Sequence, residues 1–113
     1  MTLNCIIIDD EPLAADLLAS YAKKTLFLNL IGVFNSAVEG IRAIRGNRVD
    51  LIFLDIQMPE LSGLEFAKIL PKETKIIFTT AFSQYAVEGY KANAIDYLMK
   101  PISYDDFLAG ANR

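Results

Sequence analysis

Five short apolar runs, separated by amphipathic segments, constrain the fold of this 113-residue chain more than any other feature. The runs occupy residues 5–8, 28–34, 51–54, 76–78 and 94–99. The first four are almost continuously apolar, as is typical of strands that are buried on both faces of a parallel sheet. Asp96 interrupts the fifth run, so we expect that strand at an edge of the sheet.

The segments between the runs carry the signals of helices. Ala14, Leu17, Leu18 and Tyr21 recur at spacings of three and four residues, which predicts one apolar helical stripe, and Pro12 suits the first helical turn. Three later segments begin with a serine that precedes an acid by three residues, a pattern in which the two residues satisfy each other's backbone donors. These pairs are Ser36 with Glu39, Ser62 with Glu65, and Ser103 with Asp106.

Another helix is predicted to begin at Ser83, although Gly89 within it costs about 1 kcal/mol relative to alanine. Strands and helices then alternate five times, an order that requires parallel strands, right-handed crossovers and helices on both faces. We predict one domain over residues 1–113. Its last helix would run only from Tyr104 to Arg113, so we expect that helix to be truncated, in a fragment of a longer protein.

Composition excludes several classes of protein. The net charge of -3 makes the chain a poor partner for nucleic-acid phosphates by itself. Histidine is absent, so any chemistry has to use carboxylates, hydroxyls, lysine and backbone groups. The single cysteine, Cys5, lies in an apolar run and predicts a buried side chain in a reducing compartment. No segment is apolar enough to span a membrane, and the acids at 9–11 exclude a signal peptide, so we expect a cytoplasmic protein.

The residues that follow the runs hold the candidate chemistry, because open parallel sheets bind ligands beyond the carboxyl ends of their strands. These residues are Asp9, Asp10 and Glu11 after the first run, Asp55 after the third, Thr79 and Thr80 after the fourth, and Lys100 after the fifth. Carboxylates crowded at neighbouring strand ends repel one another, and a hard cation such as Mg2+ relieves that repulsion. Taken singly, the acids at 9–11 also suit a solvated run at a helix start, and Asp55 also suits a turn.

The same edge of the sheet suits a phosphoryl group carried on Asp55. Lys100 would supply a positive charge to its oxygens, although this residue also suits an ordinary exposed lysine. Thr80 would donate its hydroxyl, and Thr79 competes for that place because alternation along a strand lets only one of the two face the site. The peptide bond before Pro101 is open to the cis or the trans isomer.

Other phosphate sites find no support in the sequence. The chain has neither the glycine-rich P-loop nor the G-x-G-x-x-G dinucleotide motif. A flavodoxin-type FMN site would need hydroxyls and glycines after the first strand, where this chain has acids. Phosphatases with an aspartate nucleophile resemble D-x-D, whereas Asp55 is followed by Ile56 and Gln57. Two alternatives stay open: a Mg-dependent aspartate-nucleophile phosphatase and a phosphate-independent interaction module.

Four motifs in order resemble the receiver domain of bacterial two-component response regulators, over nearly the whole chain. They are I-I-I-D-D-E-P at 6–12, L-D-I-Q-M-P at 54–59 with Gly63 following, T-T-A at 79–81, and D-Y-L-M-K-P-I at 96–102. Each motif is moderately specific, and all four at these separations are highly specific. The sequence from 76 to 102 is also similar to the receivers of LytTR-type regulators.

This resemblance implies a fold and a set of metal ligands. The implied fold is α/β, the flavodoxin-like (βα)5 type, a three-layer sandwich around a parallel five-stranded sheet in the order 2-1-3-4-5. The implied cofactor is Mg2+, bound by Asp10 and Asp55, by Asp9 through water, and by the backbone carbonyl of Gln57.

The implied function is that of a signalling switch and not of an enzyme with an external substrate. A sensor histidine kinase would phosphorylate Asp55, Lys100 and Thr80 would hold the phosphoryl group, and Tyr97 would pack into the space that Thr80 leaves. The domain would catalyse only its own phosphorylation and dephosphorylation. We expect it to dimerise when phosphorylated, through a face with Tyr90, Tyr97 and the last helix. Transcription would be controlled through a C-terminal DNA-binding domain that follows this segment, without contact with a membrane.

Overall fold

The structure is a computed structural model, and it describes residues 2–58, 61–81 and 96–112. Its strands are β1 (Leu3–Ile8), β2 (Leu28–Phe34), β3 (Leu51–Asp55), β4 (Lys75–Thr80) and β5 (Asp96–Met99). The described helices are α1 (Pro12–Lys23), α2 (Ala37–Gly46), α3 (Gly63–Lys68) and α4 (Tyr104–Ala111). The strands form one parallel sheet in the order β2-β1-β3-β4-β5, which confirms the predicted flavodoxin-like topology.

Burial along the strands separates the centre of the sheet from its edges. β3 is buried throughout and β1 is buried from Cys5 onward, as their continuous apolar runs predicted. The same prediction is wrong for β2, in which Ile31 and Val33 are each 37% exposed. The reason is that β2 is an edge of the described sheet, so solvent reaches side chains that a central strand would bury. β5 lies at the opposite edge, as Asp96 predicted.

Two apolar layers hold the helices against the sheet. On one face, α1 and α4 pack over Phe53, and Phe107 of α4 stacks on that ring with centroids 4.5 Å apart. On the other face, α2 and α3 pack over Ile8 and Phe78, and Phe66 of α3 is fully buried. Helices on both faces of a parallel sheet form the three-layer sandwich that the alternation of elements predicted.

The buried face of α1 differs from the predicted apolar stripe. Leu18 is 1% exposed and Tyr21 packs against the same core, as expected. Leu17 is 39% exposed and Ala14 is half-buried, so the prediction is wrong for Leu17. Ala15 faces the sheet instead, because a small side chain lets the helix lie close to the strands.

The helix starts agree with the sequence. Pro12 opens α1, and a serine caps each of α2, α3 and α4. Ser36, Ser62 and Ser103 accept a hydrogen bond from the backbone N–H three residues on, at 3.3, 3.2 and 3.1 Å. Each serine thereby satisfies a donor that a helix N-terminus leaves without an intrahelical partner.

Some predicted features lie outside the described residues. These are the helix that begins at Ser83 and contains Gly89, the aromatic Tyr90, and residues 94–95 of the fifth apolar run. α4 begins at Tyr104, as predicted. Across residues 2–58, 61–81 and 96–112, no helix is long and apolar enough to cross a membrane.

The difference in burial between Leu17 and Leu18 can be tested by comparing the stability of their alanine variants. We expect Leu18→Ala to lower the free energy of unfolding by about 3 kcal/mol, because it leaves a cavity between α1 and the sheet. Leu17→Ala removes the same atoms from a partly exposed position and should cost less than about 1 kcal/mol. Urea denaturation of the two variants makes the comparison. Equal losses would support the stripe predicted from the sequence.

Candidate functional site

Four segments of the chain meet at the carboxyl edge of the sheet. Asp9 directly follows β1, Asp55 ends β3, Thr80 ends β4, and Lys100 directly follows β5. The register between β1 and β3 brings Asp9 and Asp55 to the same level. Parallel strands present their carboxyl ends together, so residues that are far apart in sequence become neighbours here.

The acids at this edge form a compact cluster. One carboxylate oxygen from each of Asp9, Asp10, Glu11 and Asp55 lies within 4.8 Å of the others. Asp9 is fully buried and Asp55 is 2% exposed, so a solvated charge run is wrong for Asp9 and an exposed turn is wrong for Asp55. Asp9 Oδ1 accepts the Glu11 N–H at 2.9 Å, and Asp55 Oδ1 accepts the Gln57 N–H at 3.3 Å. These backbone donors orient two of the carboxylates without neutralising their charge.

Lys100 supplies positive charge to the cluster. Its Nζ lies 3.0 Å from Asp9 Oδ2, 3.1 Å from Glu11 Oε1 and 3.6 Å from Asp55 Oδ2. The side chain is 15% exposed, so the alternative of an ordinary exposed lysine is wrong. Burial opposes the charge of this group, but the carboxylates outweigh burial and raise the pKa of Lys100. Among the described residues Asp9 Oδ2 has no hydrogen bond, so the ion pair with Lys100 is its stabilising contact.

Asp55 has a strongly altered proton affinity. Burial first, and then the negative charge of Asp9, raise the pKa of Asp55 from 3.8 to about 8. A hydrogen bond with Asp10 favours the protonated form further, and the positive charge of Lys100 opposes it. The metal-free site therefore favours the protonated form of Asp55 more than water favours that of a free carboxyl group. A cation bound beside it would release that proton.

Two threonines end β4 beside the acids and the lysine. Both are buried, and the register pairs Thr79 with Asp55. The Lys100 N–H donates to the carbonyl oxygen of Thr80 at 2.8 Å, so the backbone holds these two residues together. Thr79 Oγ1 has no hydrogen-bond partner in the part of the chain that the structure describes. The role of the Thr80 hydroxyl stays a prediction. The Lys100–Pro101 peptide bond is cis, one of the two isomers that the sequence allowed.

Gly63 lets α3 begin close to Asp55. Its N–H donates to the carbonyl oxygen of Ile56 at 2.8 Å, and a Cβ atom at this position would overlap the carbonyl oxygen of Asp55. The close approach therefore requires glycine. Gln57 lies in the same loop, and metal binding by its carbonyl stays a prediction. Tyr97 is half-buried against the layer of α2 and α3, and its switching role also stays a prediction.

Two further residues complete the comparison with the sequence. The sequence marks Glu11 as an acid at the strand end and predicts no contact for it, whereas in the structure its Oε1 accepts a hydrogen bond from Lys100 Nζ at 3.1 Å. Its position beside Asp9 and Asp10 was the only signal for that contact. Cys5 is fully buried, and burial raises the pKa of its thiol to about 12, as suits the expected unreactive side chain.

Known proteins with similar sequences are response regulators. The profile of the family described as response regulator receiver domain matches residues 5–112. The chain is 43% identical over 102 residues to the transcriptional regulatory protein BtsR of Escherichia coli (strain K12), covering 88% of this chain and 43% of that protein. It is 40% identical over 102 residues to an uncharacterized response regulatory protein of Vibrio cholerae, again covering 88% and 43%. The chain therefore spans less than half the length of these curated relatives.

Solved structures with the same fold are receiver domains. The response regulatory domain of protein mrkE from Klebsiella pneumoniae superposes with a TM-score of 0.88 at 29% identity, over 97% of this chain and 93% of that one. The signal receiver domain of the putative response regulator NarL from Mycobacterium tuberculosis also gives 0.88, over 98% and 94%, at 16% identity. At that lower identity the similarity concerns the fold alone.

The raised pKa of Asp55 should make the stability of the metal-free domain depend on pH. Between about pH 4 and about pH 8 the unfolded chain has lost this proton and the folded domain keeps it, so the free energy of unfolding falls as pH rises. One proton limits the slope to about 1.4 kcal/mol per pH unit. Asp55→Asn has no carboxyl proton to retain, so its free energy of unfolding should rise relative to that of wild type as pH rises from about 4 to about 8. Urea titrations with a chelator measure the difference, and a difference that stays constant with pH would contradict the raised pKa.

Proposed function

The chain belongs to the family of response regulator receiver domains, and from this membership we propose that Asp55 accepts a phosphoryl group and thereby switches an output face. One observation carries the proposal. Asp55 ends a central strand with its carboxylate 3.6 Å from the Lys100 ammonium, inside a cluster of acids. Asp55 offers the nucleophile, and Lys100 offers charge to the incoming phosphate oxygens. The domain would act only on itself, not on an external substrate.

Mg2+ is the proposed cofactor. The cluster fits a hard divalent cation because its carboxylate oxygens converge within 4.8 Å and one of them, Asp9 Oδ2, is buried without a hydrogen bond among the described residues. Asp10 and Asp55 would bind the ion directly, Asp9 through water, and Gln57 through its carbonyl oxygen. When bound, Mg2+ supplies positive charge that favours ionised Asp55 and offsets the charge of the phosphate oxygens.

The phosphoryl donor would be a phosphohistidine on a sensor histidine kinase, the partner that the family implies. The ionised Asp55 carboxylate attacks phosphorus in line, so that a P–O bond forms while the P–N bond breaks. The histidine leaves with the bonding electrons and takes a proton from solvent. Lys100 turns from Asp9 and Glu11 toward the phosphoryl oxygens, and the Thr80 hydroxyl donates to one of them.

We also propose that the switch runs through Thr80 and Tyr97. Movement of Thr80 toward the phosphoryl group would leave space for Tyr97, whose strand pairs directly with that of Thr80. The surface that includes α4 would then pair two copies of the domain. The greater length of the relatives, and the name transcriptional regulatory protein carried by BtsR, support a further region that controls transcription. From the resemblance to LytTR-type receivers, we propose that this region is a C-terminal DNA-binding domain of that type, in a cytoplasmic protein.

Phosphorylation of Asp55 can be tested by mass spectrometry. Acetyl phosphate with Mg2+ should add the mass of one phosphoryl group to the wild-type domain, and Asp55→Asn should gain nothing because an amide is not a nucleophile. Asp16→Asn, an exposed acid on α1, should label as wild type does. Full labelling of Asp55→Asn would show that the acceptor lies elsewhere. Continuous turnover of a phosphate ester would favour the phosphatase, and no response to Mg2+ with beryllofluoride would favour the interaction module.

Mg2+ should stabilise the domain. At ten times its dissociation constant it adds roughly 1.4 kcal/mol, because a ligand bound only by the native state contributes RT ln(1 + [L]/Kd). Asp10→Asn should make the metal-free domain more stable, since one repelling charge is gone, and should lose most of the response to Mg2+. Calorimetric melting with and without Mg2+ measures both effects. Asp16→Asn removes one negative charge outside the cluster and should melt as wild type does. If the metal-free Asp10→Asn domain were less stable than wild type, repulsion among the acids would not explain the effect.

A further inference from the structure

The C-terminal half of α1 holds the segment that carries Lys100. Tyr21 Oη donates a hydrogen bond to the carbonyl oxygen of Ile102 at 2.8 Å, two residues beyond the lysine. Farther along, Thr25 Oγ1 lies within hydrogen-bond distance, 3.1 Å, of Tyr104 Oη. α1, through Tyr21, and Thr25 just beyond its C-terminus therefore contact this segment at two successive points after it leaves the sheet.

The Tyr21 side chain is itself firmly placed. Its ring centroid lies 5.4 Å from that of Phe107 and 5.4 Å from that of Tyr104, and the ring packs against the core between the sheet and the helices. Ile102 is 5% exposed and Tyr21 is half-buried, so the bond between them is partly shielded from water. A hydrogen bond in such surroundings is not readily replaced by one to solvent.

We propose that Tyr21 is a positioning residue for Lys100, an inference that rests on the proposed function of Asp55. The backbone of Lys100 is fixed on the strand side by its N–H bond to Thr80, at 2.8 Å. On the other side, and among the described residues, the first side-chain hydrogen bond to the backbone of the segment is the one from Tyr21 to Ile102. Between these two points the loop determines where the ammonium group lies. Without the Tyr21 hydroxyl, the loop is released on one side and Lys100 moves away from Asp55.

This role has a signature that general destabilisation lacks. The acids of the cluster follow β1 and end β3, so they stay in place when the segment from 100 to 104 loosens. Lys100 repels a bound cation and attracts phosphoryl oxygens. Its displacement therefore favours binding of the cation and weakens binding of the phosphoryl group. Mg2+ affinity should stay equal or rise, while affinity for a phosphoryl mimic falls. General damage to the fold would weaken both.

Tyr21→Phe provides the test, because it removes the hydroxyl and keeps the ring contacts. Thr25→Val is the control, since it removes the other hydroxyl contact to the segment, together with that hydroxyl's bond to the Tyr21 carbonyl oxygen at 2.8 Å, and keeps the Tyr21 hydroxyl that donates to Ile102. Calorimetric titration gives the dissociation constant for Mg2+ alone and for beryllofluoride at saturating Mg2+. We expect Tyr21→Phe to weaken beryllofluoride binding about fivefold, the effect of one neutral hydrogen bond, without weakening Mg2+ binding. Thr25→Val should change neither constant by more than about twofold.

Amide hydrogen exchange in the metal-free domain separates this inference from the proposed function. The Lys100 amide should exchange faster in Tyr21→Phe than in wild type or Thr25→Val, whether or not the domain takes up phosphate. A wild-type domain that binds no beryllofluoride would overturn the function proposed for Asp55, and exchange at Lys100 would still decide the role of Tyr21. The positioning role would be overturned if the Lys100 amide exchanged at the wild-type rate in Tyr21→Phe. It would also be overturned if Tyr21→Phe and Thr25→Val weakened Mg2+ and beryllofluoride binding to the same extent.

Discussion

Repulsion among four carboxylates at one edge of the sheet, opposed by the Lys100 ammonium, is the interaction on which the site depends. At 4.8 Å and an effective dielectric constant of about 20, each pair of ionised acids repels by roughly 3 kcal/mol. On the same scale Lys100, which lies 3.0, 3.1 and 3.6 Å from three of the acids, attracts each of them by roughly 5 kcal/mol and offsets much of this repulsion. Burial and the charge of Asp9 still raise the pKa of Asp55 to about 8, and under the proposed function Mg2+ would favour its ionised form.

The order of the strands explains why Lys100 needs support. β1 and β5 are three strands apart, which at the usual spacing is about 14 Å, yet Lys100 Nζ lies 3.0 Å from Asp9. The Lys100 backbone stays beside β4, where its N–H donates to the carbonyl oxygen of Thr80 at 2.8 Å, so the side chains of Lys100 and Asp9 have to span the intervening strands. A loop in this position needs contacts outside the sheet, and α1 provides them.

Local patterns in the sequence predicted the alternating strands and helices and the members of the cluster, and the resemblance to receiver domains supplied the strand order. Apolar runs, serine caps and acids at strand ends each lie within a few residues of the feature that they determine. The failures had non-local causes: the apolar run of β2 predicted burial on both faces although the strand is an edge, and the spacing of Leu17 predicted burial although the packing of α1 on the sheet leaves it 39% exposed. The contacts of Glu11 with Lys100 and of Tyr21 with Ile102 join positions 89 and 81 residues apart. Neither contact leaves a trace in sequence spacing, because each depends on how the loop after β5 folds back.

α1 connects these observations, because it begins at the acids and ends beneath the segment that carries the opposing charge. Glu11 at its start contacts Lys100, and Tyr21 near its end contacts Ile102. The same segment continues into α4, whose Phe107 stacks on Phe53 of the central strand that ends in Asp55. Under the proposed function, a change of charge at Asp55 would have two routes to α4, through the ion pairs of Lys100 and through the packing of Phe107 on β3. Under the proposed function, this shared framework is the physical reason that a phosphoryl group on one strand end would alter a helix on the face of the sheet.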